Sequence, residues 1–261
     1  MPYKPPRCNI EKVGVGKVST FRGFCCAHDT KLFSVIDTQN LQVNNEAQVL
    51  ALHRRAVAYE IRNKQKMYNM LESACNISGR YDADRHVRLE DLKRLLSADI
   101  KYSWNPLWGN SPIDNLAYKW IIINKNIGVS MTSCIPPLSD LSFNSYMESC
   151  WDYASKSYLR SRPFFSLSIV PDELQTHIVM IWNRFDDSNV DVFRRLLCNQ
   201  DDVGVFLDTC IFDKSEDFCL RPSLWAALTS DVQSAVKDKV SNITHDDVEH
   251  LTIFQQMLRT R

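Results

Sequence analysis

Apolar residues recur at helical spacing from Asn44 onward. Leu50, Val57, Ile61, Tyr68 and Leu71 fall three, four and seven apart, and Val49, Leu52, Ala56 and Tyr59 widen the stripe. That period predicts a long amphipathic helix over 46–75. Asn44 or Asn45 can cap its first free amides, and Asn76 and Gly79 end it. A second helix is expected over 84–98, with Leu89, Leu92, Leu95 and Leu96 on its buried face. The pattern then changes to strand character. Segments 117–123 and 128–134 flank Asn124-Lys125-Asn126 and read as a hairpin, because Asn tolerates positive φ. Phe164 to Val170 alternates as a half-buried strand and is expected to pair with 175–183 through Pro171-Asp172-Glu173. Between these pairs, 138–162 reads as a loop with a short helix. Helical spacing returns over 189–198, 203–212, 222–240 and 244–258, the last with Thr244 as N-cap and Asp247 three residues on.

These elements predict an α+β fold, with a small antiparallel sheet of about four strands flanked by helices. Residues 1–43 are expected to be an irregular N-terminal arm, since Pro2, Pro5 and Pro6 forbid an early helix and Gly14, Gly16 and Gly23 punctuate the rest of the arm. The domain count is then an N-terminal Cys/His module over 1–43 and one α+β domain over 44–261.

Composition narrows the class. The 261 residues are 44% hydrophobic and 24% charged, as in an ordinary folded chain, which excludes disordered, collagen-like and coiled-coil proteins. Lys+Arg and Asp+Glu are both 31, so no globally basic coat for nucleic acid exists. The charge is uneven, however. Residues 1–66 carry 11 Lys/Arg against 5 Asp/Glu, and 186–261 carry 8 against 14. This asymmetry fits either a nucleic-acid-facing end or two ends that attract each other. No run of about 18 apolar residues occurs, so neither a transmembrane helix nor a membrane partner is expected. Nine scattered cysteines, an odd number, fit reduced thiols in a cytoplasm better than a disulfide framework.

The most distinctive run is Ser19 to Phe33, which sets Cys25, Cys26, His28 and Asp29 within five residues. Cys25 and His28 form a Cys-x-x-His half-site, and two such ligands on one turn can converge on a zinc ion. Cys8, 17 residues upstream, is a candidate third ligand. The competing reading makes Cys25 and Cys26 small buried apolar groups, with His28 bonded to Asp29 or to backbone. A basic stretch on the long helix, His53-Arg54-Arg55 with Arg62, Lys64 and Lys66, is a candidate phosphate-contacting face or a solvated one. Trp104, Trp108, Tyr118 and Trp120 fit either base stacking or core packing, with packing favoured. Asp201-Asp202 and Asp246-Asp247 read as acids at helix starts, and His177 as a structural histidine. There is no Gly-x-Ser-x-Gly, His-Glu-x-x-His, Walker loop or Rossmann fingerprint, which disfavours the common hydrolases, zincins, nucleotide motors and dinucleotide enzymes.

The segment from Val13 to Asp37 resembles a largely uncharacterised group of bacterial proteins with the signature Thr-Phe-x-Gly-Phe-Cys-x-x-His-Asp-x-x-Leu-Phe-x-Pro-Ile-Glu. Here Val35 stands for its Pro and Asp37 for its Glu. The resemblance covers about 25 residues and fades beyond Glu46 to a likeness of layout. Fuller members of the group carry upstream cysteines and a Ser-His-x-Ile-Gln segment, so the whole reads like a degenerate HNH-type zinc module. This chain starts a dozen residues before the signature, and a truncated gene start or a lost site is the expectation.

Three candidate functions emerge. The first is a non-enzymatic bacterial accessory protein with a nucleic-acid-linked or defence-type role, docking DNA, RNA or a protein partner that supplies the missing half of the module. The second is a metal-dependent HNH-like endonuclease using His28 and Asp29, with zinc on Cys8, Cys25 and His28. The third is a protein-interaction module without nucleic-acid contact.

Overall fold

The computed structural model describes residues 10–13, 24–78, 83–136, 151–152, 157–158, 164–185, 200–215 and 218–241. In chain order the elements begin with helices α1 (Cys26–Asp37), α2 (Glu46–Ser78) and α3 (Ala83–Asp99). Short turns over Ile100–Trp104, Asn105–Trp108 and Pro112–Asn115 lead into strands β1 (Leu116–Ile123) and β2 (Val129–Ile135). A two-residue pair, β3 (Trp151–Asp152) and β4 (Ser157–Tyr158), precedes β5 (Phe165–Pro171) and β6 (Thr176–Asn183). The described chain closes with α4 (Gln200–Asp208), a wide turn over Thr209–Lys214, β7 (Cys219–Leu220), α5 (Pro222–Ala227) and α6 (Ser230–Ser241).

The α+β class holds. The main sheet has five strands rather than about four, in the order β1-β6-β5-β2-β7, and every pair is antiparallel. The expected β5–β6 hairpin forms, in register from Phe165↔Trp182 to Pro171↔Thr176. Asp172 closes its turn by accepting from the Leu174 and Gln175 N–H groups, both at 2.8 Å.

The hairpin expected between 117–123 and 128–134 does not form. β1 and β2 lie three strand spacings apart, about 14 Å, with β6 and β5 between them. Their connection arches over the β5–β6 turn instead. Thr176, fully buried, donates to the Lys125 carbonyl at 2.8 Å and accepts from the Ile127 N–H at 3.1 Å. The Asn126 side chain donates to the Asp172 carbonyl. Positive φ falls on Gly128 (71°), not on the asparagines, and a Cβ there would press on Arg221 and Leu224 at 3.3 Å.

Strand alternation divides the interior in two. Phe165, Leu167, Ile169, Ile178 and Met180 face Phe206, Leu207, Ile211, Val232 and Val236 of the C-terminal helices. Val179 and Ile181, with Tyr118, Trp120 and Phe164, face Val49, Leu52 and Val57 of α2. Helices therefore cover both faces: β6 carries the apolar run Ile178–Ile181 expected of a doubly covered strand, while β5 keeps its alternation with Ser166 and Ser168 buried, so it is covered on both sides rather than half-buried.

At the head of α2, Asn44 adopts φ 62° and Asn45 caps the helix, its side chain accepting from the Ala47 and Gln48 N–H groups at 3.1 and 3.3 Å. Gln48 is fully buried and staples the preceding loop. Its amide donates to the Val35 and Asn40 carbonyls and accepts from the Gln42 N–H.

Three further expectations change. The arm expected to be irregular over 1–43 contains α1, because only Phe24 and residues beyond it escape the prolines and glycines upstream. The helix expected over 222–240 breaks between α5 and α6, where Leu228 is extended (ψ 143°) and the Gln233 amide donates to the Trp225 and Leu228 carbonyls. The helix expected over 203–212 starts at Gln200 and widens into the Thr209–Lys214 turn. Asp201 and Asp202 fall in its first turn. The helices expected over 189–198 and 244–258 lie outside the described residues.

Candidate metal half-site and basic face

Phe24 fixes where α1 begins. Its ring lies 5.6 Å from Phe33 and stacks on Trp104 at 6.0 Å between centroids. Phe33 is fully buried beneath the Arg55 guanidinium, 4.5 Å from the ring centre, and Arg55 is held in turn by Asp37 at 2.7 Å. With the aromatic side anchored, the first turn of α1 faces solvent. Cys25 occupies the N-cap in extended conformation (φ −71°, ψ 156°), and the Asp29 N–H donates to its carbonyl at 2.9 Å. Asp29 in the first turn also suits the positive end of the helix dipole.

The Cys25 Sγ and His28 Nδ1 converge to 2.9 Å, and both side chains are exposed. The N-cap-to-third-residue spacing brings them together, as in any capping pair. The sulfur makes no capping hydrogen bond of its own. Even so, the nearby His28 backbone N–H, followed by the His28 imidazole, favours the thiolate and lowers the Cys25 pKa. The reading of Cys25 and Cys26 as buried apolar groups is overturned, since both thiols are exposed. His28 turns to Cys25 rather than to Asp29.

As zinc ligands the pair fits half a site. Tetrahedral bonds to sulfur and imidazole nitrogen place those atoms about 3.6 Å apart, so side-chain rotation that opens the pair by well under ~1 Å admits the ion. Among the described residues no three His, Cys, Asp or Glu side chains gather closely enough to hold a metal. Asp29 does not extend the pair to three, and Cys8 lies outside the described residues.

The five basic candidates separate. Arg54 turns inward, donating to the Leu107 carbonyl at 2.6 and 3.2 Å and lying 4.3 Å over the Trp108 ring. Arg55 is spent on Asp37 and Phe33. Lys64 bridges α2 to α3, paired with Asp99 and, at 2.8 Å, with Glu60. Only Arg62 and Lys66 of the five are exposed. Acidic residues of the chain's own helices thus take up part of the charge expected for phosphate. His53, grouped with this stretch in the sequence, is 4% exposed and sits between α2 and β5, its Nδ1 2.8 Å from the Ser166 hydroxyl. Burial pushes its pKa down to about 4.

The aromatic candidates pack rather than present open faces. Trp104 meets Trp108 edge-on at 5.1 Å, and the Trp120 indole N–H donates to His177 Nδ1 at 3.0 Å. On its other side, His177 Nε2 lies 3.0 Å from the Gln175 side-chain amide and 3.4 Å from the Asp172 carboxylate. His177, expected mid-strand, is the second residue of β6 and is buried. Sequence reading missed the Phe24–Phe33–Trp104 anchor and the Gln48 staple. A periodicity of 3.6 could have flagged Phe33 with Ile36, but Phe24 lies ahead of the helix, and Gln48 carries no sequence signal beyond its position after the cap.

The fold and site define an α+β protein with a layered helix–sheet–helix interior and a solvent-facing Cys/His turn. Compared with known protein families, with curated proteins and with solved structures, the chain matches none. No helix among the described residues is long and apolar enough to cross a membrane.

Proposed function

We propose that this chain is a non-enzymatic accessory protein whose Cys25/His28 turn holds one side of a zinc site and docks it to a nucleic-acid-linked partner. The observation that supports this reading is the convergence of an exposed, thiolate-favouring Cys25 with His28 on a turn anchored from behind by Phe24. Soft sulfur and borderline imidazole are the donor set zinc takes in structural sites. Bound there, the ion would supply a rigid cross-link rather than a reactive water. Cys8 would bring the set to three, and a partner's side chains complete the four. Arg62 and Lys66, on the exposed half of α2, add a modest phosphate-facing charge.

The test is zinc content by mass spectrometry of the full chain, together with duplex DNA binding at rising salt. The reading expects zinc retained by wild type and lost in Cys25→Ser/His28→Ala. It also expects DNA affinity that falls with salt at a slope of about −2 in log–log form, two phosphates being neutralised. Unchanged metal content in the double variant refutes the zinc site. Absent or salt-indifferent DNA binding leaves a protein partner as the docking target.

A further inference from the structure

Among the described residues β1 ends the sheet and only β6 pairs with it. Its phase is fixed by one bond. The Arg184 N–H donates to the Asn115 carbonyl at 2.8 Å, which makes 115↔184 a hydrogen-bonded pair continuous with Leu116↔Asn183. Bonding then alternates along an antiparallel ladder. Ala117, Lys119, Ile121 and Ile123 turn their backbone groups to β6, while Leu116, Tyr118, Trp120 and Ile122 turn theirs outward. The Leu116 carbonyl is already taken by the Arg184 guanidinium at 3.1 Å. Tyr118, Trp120 and Ile122 form an outward-facing ladder without proline or bulge in an eight-residue strand, Leu-Ala-Tyr-Lys-Trp-Ile-Ile-Ile. Natural edges of this length and character are normally blunted by several charges, a proline or a bulge. This one carries a single charge, Lys119.

We propose that β1 is a self-pairing edge, joining a second copy of this chain in an antiparallel β1–β1 contact centred on Trp120. The choice of occupant rests on the strand's own complementarity. Two copies related by a two-fold axis through the sheet must pair residues of equal parity, so that the same face stays up. Centring on Lys119 sets the two lysines directly opposite, a repulsive pair, and calls on the Leu116 end that Arg184 covers. Centring on Ile121 leaves only five residues overlapped. Centring on Trp120 overlaps seven. It places Trp120 opposite Trp120, Tyr118 opposite Ile122 on both sides, and Lys119 opposite Ile121. All outward backbone groups of these three residues are then satisfied, about six hydrogen bonds. Aromatic–aromatic and aromatic–β-branched pairs are the favourable cross-strand combinations.

The contact is independent of the Cys25/His28 turn, so it is tested in the presence of EDTA. Light scattering on the full chain at tens of micromolar is expected to give twice the 30.2 kDa chain mass. Ile122→Pro removes an N–H that points outward and leaves the β1–β6 ladder intact, as proline on an edge strand does. It is expected to return the mass to one chain with an unchanged far-ultraviolet circular dichroism spectrum. A second variant guards against misfolding. Ile122→Glu alone weakens the dimer, and Tyr118→Lys added to it restores the dimer by placing opposite charges across both flanking pairs. A wild-type chain that stays monomeric overturns the proposal, as does a dimer that Ile122→Pro leaves unaffected or a double variant that pairs no better than Ile122→Glu.

Discussion

Acid should unfold this protein through His53. The imidazole is 4% exposed between α2 and β5, stacked on Phe164 at 6.0 Å and bonded to the Ser166 hydroxyl, and burial alone depresses its pKa to about 4. In the unfolded chain the group titrates near ~6.5. Below that pH the unfolded state takes up a proton that the folded state refuses until about pH 4. The stabilisation is therefore complete above about pH 6.5 and drains away as pH falls through the window down to about 4. At about 1.36 kcal/mol per unit, a gap of roughly 2.5 units amounts to about 3 kcal/mol, of which some 2 to 3 kcal/mol is lost by about pH 4.5. That is a large share of the roughly 5–15 kcal/mol typical of a domain. Urea midpoints measured at pH 7 and 4.5 for wild type and His53→Gln check it. The amide of Gln keeps a hydrogen-bonding group beside Ser166 and cannot titrate, so the variant should lose markedly less stability on acidification. Parallel stability–pH curves for the two proteins would refute the reasoning. Asp172, whose carboxylate is held below its usual range first by the Gln175 N–H, loses its contribution only beneath this window.

Other outcomes rest on the same structure. Thr176→Val leaves the Ile127 N–H and Lys125 carbonyl under the arch unbonded and should cost about 1–3 kcal/mol, read as a shifted urea midpoint. Leu167→Ala, in the fully buried centre of β5, should cost about 2–5 kcal/mol by cavity formation, read the same way. His28→Ala should slow iodoacetamide alkylation of Cys25 several-fold at neutral pH, followed by peptide mass mapping, because it removes the imidazole that favours the thiolate. Arg54→Ala should destabilise by about 1–2 kcal/mol through the lost Leu107 bonds and Trp108 contact, without weakening DNA binding, which Arg62→Ala/Lys66→Ala should weaken.

Local periodicity carried most of the helices and the β5–β6 hairpin. Val49, Leu52 and Val57 repeat at the helical interval because one face meets the sheet, and that interval is visible in the residues themselves. Strand order was not visible. Residues 124–128 are as compatible with an arch as with a tight turn, and the deciding partner, Thr176, lies about fifty positions away. Residues 26–37 read as irregular because the glycines and prolines ahead of them mask a helix held by Phe33 against Phe24, which in turn stacks on Trp104. At the site, Cys25 and His28 were legible from spacing, since an N-cap and its third residue must converge. The basic face was not. Whether Arg54, Arg55 and Lys64 meet phosphate or their own chain depends on Leu107, Asp37 and Asp99, which only tertiary packing brings to them. His53 shows the same limit, because a histidine beside two arginines reads as surface until the helix is seen against the strand.

Cobalt(II) substitution tests the Cys25/His28 turn most directly. Titrated into the metal-free full chain, cobalt should develop the intense charge-transfer absorption of a thiolate bond, saturate near one ion per chain and be displaced by zinc. Cys25→Ser should abolish that band, and His28→Ala should weaken cobalt binding at least tenfold. A spectrum of hexaaquo cobalt, or a thiolate band that survives Cys25→Ser unchanged, would contradict the account.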